Sequence, residues 1–143
     1  NMFTTKTGDN CIEFIAAGKP EYIDAVCLAI KIFAEDKGFN EEKLEDIELA
    51  SKEACKIVIC HKRDGYASKY KVKCEGLEDG IKIAVEDVSC EKRIRIPEQR
   101  ICLNCPEEGN VCLELIKSLM DEAQIEQKKE ETCSITMVKK HAR

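Results

Sequence analysis

Between residues 70 and 85 the chain alternates twice. Tyr70, Val72 and Cys74 are separated by lysines, and Ile81, Ile83 and Val85 by polar or small residues. In an extended chain successive side chains point to opposite faces, so each run has one apolar and one polar face. Gly76 and Asp79-Gly80 carry the turn chemistry that joins the two runs as a hairpin. A sheet buried on both faces would read as continuous apolar runs. This one is covered on a single face, which predicts a mainly antiparallel sheet with helices on one side.

The flanking sequence supplies those helices. Ile12 to Ala16 alternates as a first strand, and Pro20 opens a helix with Tyr22, Val26, Ile30 and Phe33 on one stripe. Gly38 suits a left-handed stop, and Asn40 caps a second helix that has Glu41 and Glu42 in its positive first turn. That helix is predicted to run to about His61, with Leu44, Ile47, Ala50, Ala54 and Val58 facing inward. From Ser89 to about Glu108 periodicity lapses into a long loop containing Pro97 and Pro106. A third helix starts near Asn110 and carries Leu113, Ile116, Leu119 and Met120 on one side. A hairpin from Ile125 to Lys140 follows, its tip at Lys128 to Glu131, with Cys133, Ile135 and Met137 sharing a face. The fold class is α/β (α+β), a two-layer sandwich.

At 143 residues the chain has room for one domain, placed at 10–139. Residues 1–9, with Asn1 ahead of Met2, are read as a disordered or cloning-derived N-terminus, and 140–143 as a tail holding His141. A net charge of -5 argues against direct nucleic-acid binding, which needs a basic face. No apolar run approaches the roughly 20 residues of a membrane helix, and no secretory signal opens the chain. Ten cysteines are many, but Cys27, Cys55, Cys60 and Cys112 fall in helix-like segments and Cys11, Cys74 and Cys133 in or beside strand-like ones. That placement reads as buried free thiols in a reducing cytoplasm rather than a disulfide framework.

The order of elements and three local motifs resemble the anti-sigma-factor serine kinases, which share the histidine-kinase-like ATPase fold. Lys19-Pro20-Glu21-Tyr22 resembles that family's opening before the first helix. Glu45 to Ala50 followed by Glu53-Ala54-Cys55 resembles its second helix, and Ser118 to Glu122 its third. The resemblance covers roughly residues 10 to 139 and implies three nucleotide-site boxes. In the first, Glu53 matches the glutamate that accepts the substrate serine's proton. The magnesium-holding asparagine is expected four residues later, where Ile57 stands. Isoleucine offers no oxygen to a cation that demands oxygen ligands. In the second, Asp87 matches the acid that accepts a hydrogen bond from adenine, but Ser89 replaces the glycine two residues on. In the third, only Gly109 remains of a glycine-rich turn that would bring backbone N–H groups to phosphates, and Asn110 and Cys112 fill the space.

The resemblance implies a sigma factor, an anti-anti-sigma protein, or both as partners, and a homodimer. With its site depleted, the chain is expected to act by protein binding, with ATP and Mg²⁺ as the cofactors in question. Active serine kinase chemistry is the alternative, with Glu53 as base. A third reading rests on Cys90, Cys102, Cys105 and Cys112, where Cys102-Leu103-Asn104-Cys105 is a C-x-x-C. Four thiolates can hold zinc or an iron–sulfur cluster, or the four can be ordinary thiols. Leu28 and Ile32 put apolar groups on a second side of the first helix, which suits a partner contact.

Overall fold

The computed structural model describes residues 10–60, 69–88, 109–127 and 133–142. Its elements are β1 (Cys11–Ala17), α1 (Ile23–Asp36), α2 (Glu41–Cys60), β2 (Lys69–Leu77), β3 (Gly80–Asp87), α3 (Gly109–Leu119), β4 (Glu122–Gln127) and β5 (Cys133–Lys140). The five strands form one sheet in the order β1-β2-β3-β5-β4, every neighbouring pair antiparallel. The mainly antiparallel, two-layer architecture expected from the alternation is therefore present. Tyr70, Val72, Cys74, Ile81, Ile83, Val85, Ile135 and Met137 form the inner face of the sheet, and all are buried.

The helices cover that face. Leu44, Ile47, Ala50, Ala54 and Val58 on α2 are buried as their spacing requires, and α1 contributes Ile23, Val26, Cys27, Ile30, Phe33 and Ala34. Tyr22 departs from the expected stripe. Pro20–Tyr22 forms a single 3-10 turn, so the helical phase starts at Ile23 and Tyr22 is left exposed. Gly38 adopts a φ of 94°, the left-handed stop its position called for.

Asn40 caps α2 as expected: its Oδ1 accepts a hydrogen bond from the Lys43 N–H at 2.9 Å. Such a cap satisfies one of the helix's orphan donors. Asn40→Ala should lower stability by about 1 kcal/mol, read as a shift in the urea midpoint.

Gly76 is not part of the turn. The β2–β3 turn is Glu78-Asp79 alone, with Leu77 opposite Gly80, while Gly76 pairs with Ile81 inside the strand. Gly76 instead lies beside Asn10, whose carbonyl accepts its N–H at 2.8 Å.

The last hairpin begins three residues earlier than its apolar pattern suggested, at Glu122. His141 is held rather than loose. Its ring stacks on Phe39 with centroids 4.2 Å apart, its N–H donates to Asp79 O at 2.9 Å, and Lys43 Nζ donates to its carbonyl at 2.7 Å.

Lys139 ties the two layers together. Its ammonium donates to the Leu119 carbonyl at the end of α3 and lies 3.4 Å from Asp46 on α2. The final carbonyls of a helix lack internal partners and carry negative partial charge, which a lysine there satisfies. Among the described residues no helix is long and apolar enough to cross a membrane.

Candidate functional site

The resemblance places its boxes on α2, at the end of β3 and at the start of α3. Because α2 packs against β3, β5 and α3, these elements adjoin. Glu53 is only 7% exposed, and Lys56, one turn along, donates to its Oε2 from 3.3 Å. Asp87 is the last residue of β3 and 4% exposed, opposite Tyr70 in the sheet register. Gly109 opens α3, and Cys112 falls in that helix's first turn.

Ile57 follows Glu53 by one helical turn. It is 6% exposed and belongs to the continuous hydrophobic core. A Mg²⁺ ion requires near-octahedral oxygen ligands. At the position where the resemblance expects a magnesium ligand, the side chain present is apolar and embedded among apolar neighbours, which does not fit a magnesium ion.

Ser89, Cys90, Cys102, Cys105 and His61 lie outside the described residues, so the four-cysteine set is not placed. Among the described residues, no group of three or more His, Cys, Asp or Glu side chains is arranged to hold a metal ion.

Among the described side chains four cysteines are free thiols: Cys27, Cys55 and Cys74 buried, Cys11 half-buried. Cys27 on α1, Cys55 on α2 and Tyr70 on β2 form one cluster inside the domain. The hydrogen bond with Cys55 and then burial push the Cys27 thiol far above its ordinary range. Burial is the main cause that raises the Tyr70 phenol, and it pushes the Cys74 thiol up to about 12. Thiolates are the reactive form of cysteine, so Cys27 and Cys74 pack as small hydrophobes at neutral pH.

Sequence reasoning missed one feature of this interior. The hydroxyls of Ser51 and Tyr70 are fully buried with no hydrogen-bond partner of good geometry among the described residues. The Cys55 sulfur beside Tyr70 is at most a weak one. Ser51 occupies the inner side of α2, where the alanine-rich spacing had signalled only packing.

Comparison with known proteins agrees with this architecture. Three relatives are each named serine-protein kinase RsbW. The one from Bacillus licheniformis is 28% identical over 140 residues, spanning 92% of this chain and 87% of that protein. The one from Bacillus pumilus is 26% identical over 135 residues, spanning 87% and 83%. The one from Bacillus subtilis is 23% identical over 139 residues, spanning 92% and 87%. Residues 16–139, from the end of β1 into β5, match the histidine kinase-like ATPase domain. The chain belongs to the histidine kinase-like ATPase domain family.

Proposed function

We propose that this chain is a regulator that acts by stoichiometric protein binding, in the manner of an anti-sigma factor, and that it does not transfer phosphoryl groups. A sigma factor and an anti-anti-sigma protein are its proposed partners, the cytoplasm its proposed compartment and a homodimer its proposed state. The similarity to serine-protein kinases supports the kind of partner. The observation that carries the loss of chemistry is Ile57 in the core at the metal-ligand position, beside a Glu53 already engaged by Lys56. Phosphoryl transfer is catalysed mostly by electrostatic stabilisation from metal ions and oriented donors. A buried isoleucine contributes neither.

A thermal-shift titration with ATP and ADP, with and without Mg²⁺, tests this. A ligand that binds only the native state raises the melting midpoint by mass action. We expect no Mg²⁺-dependent shift at millimolar nucleotide. A shift that requires Mg²⁺ would count against the proposal.

A second reading, active serine kinase, is favoured by the retention of Glu53 and Asp87 as buried acids on adjoining elements. It requires serine phosphorylation of the anti-anti-sigma partner that is lost in Glu53→Ala. The binding reading requires that the same variant keep its partner without nucleotide.

A further inference from the structure

The outer surface of the helical layer carries both exposed apolar residues and ionic side chains. On α1, Leu28 and Ile32 are one turn apart, 51% and 58% exposed, and on α2 Leu49 is 43% exposed. Between the helices runs a groove of about 380 Å³ lined by Asp24, Cys27 and Lys31 from α1 and by Glu45, Glu48, Leu49 and Lys52 from α2. Two ion pairs cross it, Lys31 to Glu48 at 3.4 Å and Lys52 to Asp24 at 3.6 Å. These pairs use both lysines of the groove. Glu35, Glu41 and Glu45 remain on the same outer surface, exposed and without an ion-pair partner among the described residues. The apolar positions are therefore framed by an excess of carboxylates.

We infer that the α1–α2 face docks a cationic amphipathic helix of a protein partner, its apolar stripe on Leu28, Ile32 and Leu49 and its lysines or arginines over the acidic rim. The inference rests on the binding role proposed above and names the chemistry of the partner. Docking of an amphipathic helix sets its apolar side chains, at spacings of three and four, against exposed apolar positions such as Leu28, Ile32 and Leu49. Complementary charge on the rim sets the encounter rate and rejects wrong partners. The same rim disfavours the other occupants. A second copy docking through this face would set carboxylates against carboxylates across a two-fold axis. Anionic lipid and nucleic acid are repelled for the same reason.

The test uses the full chain and a synthetic 18-residue helix with leucines at i, i+4 and i+7 flanked by lysines. Two controls accompany it, one with the same residues reordered to scatter the leucines and one with every lysine replaced by glutamate. Fluorescence anisotropy should show binding of the first peptide alone, and hydrogen exchange should show new protection on α1 and α2. Leu28→Glu combined with Ile32→Glu should weaken binding about tenfold or more, as expected when anchors are lost. Glu35→Lys combined with Glu45→Lys should weaken it about tenfold at low salt and much less near 1 M salt, where exposed charges are screened. All four positions are exposed, and an unchanged melting midpoint confirms that each variant is folded. Equal binding of the reordered peptide, protection elsewhere, or unchanged affinity in the Leu28/Ile32 variant would overturn the inference. So would a Leu28/Ile32 variant that turns a dimer into a monomer in sedimentation, because a second copy would then own the face. The binding role itself stands or falls on the nucleotide and phosphorylation experiments, which do not involve this peptide.

Discussion

Gly80→Ala is expected to destabilise the domain by about 3 kcal/mol, at the top of the range for forcing atoms into packed space. A Cβ at this position would stand 2.1 Å from the Lys139 carbonyl oxygen and 2.9 Å from the Lys140 Cα. Both are backbone atoms of β5, so no side chain can swing aside. The β3–β5 ladder, which pairs Gly80 with Lys140, has to part at its end. Small domains have only about 5–15 kcal/mol in total, so this one substitution removes a large share. Urea denaturation should show a lower midpoint at unchanged slope. Gly76→Ala is the control. Its Cβ would meet only the Asn10 side chain, at 3.3 Å, which can move. If the two variants were equally stable, the close approach of β5 would not be what requires glycine at 80.

Ile57→Asn, which restores the residue type expected of a magnesium ligand, is predicted to gain no phosphoryl transfer and to lose about 3 kcal/mol of stability. Removing a fully buried isoleucine from an apolar site forfeits roughly 1.5–3 kcal/mol. A buried amide without partners adds a desolvation cost of about 1–3 kcal/mol. Ile57 packs within the continuous core, so both terms apply. Transfer of the γ-phosphate from labelled ATP to a serine substrate should stay at background while the denaturation midpoint falls. If the variant instead gained Mg²⁺-dependent nucleotide binding and phosphoryl transfer at native stability, the site would be one residue from working, and the binding-only role would fall.

The parts of the fold that were legible in the sequence are those in which a single face decides burial. The alternation of Tyr70 to Cys74 and Ile81 to Val85 and the stripe from Leu44 to Val58 reappear residue for residue in the core. Periodicity reports which face is inside but not which strand is the neighbour, so nothing in the sequence placed β5 between β3 and β4. It also fails where apolar content is thin. β4 is Glu-Ala-Gln-Ile-Glu-Gln, with only Ala123 and Ile125 partly packed on the core, so its first three residues fell outside the expected hairpin, and Glu122 was matched to the preceding helix. Gly76 and Gly80 look alike in sequence, yet one faces a side chain and the other a neighbouring strand's backbone. At the site, the identity of residue 57 was readable but its burial was not. The pairing of Glu53 with Lys56, three residues apart on one helix, was available from spacing and was not drawn.

The position of β5 has a consequence for how the molecule is made. Residues 133–140 follow β4 in sequence, yet they form the strand that joins β3 to β4. A growing polypeptide can close the β2–β3 hairpin early, because its partners are separated by a two-residue turn. It cannot finish the sheet until residue 140 has been added, because Gly80 pairs with Lys140. Until then β3 carries an unpaired edge and the apolar face beneath α2 lacks Ile135 and Met137. Such an intermediate is prone to association, and long-range pairing of this kind slows folding. The five-stranded sheet is therefore complete only once β5 has been inserted between β3 and β4.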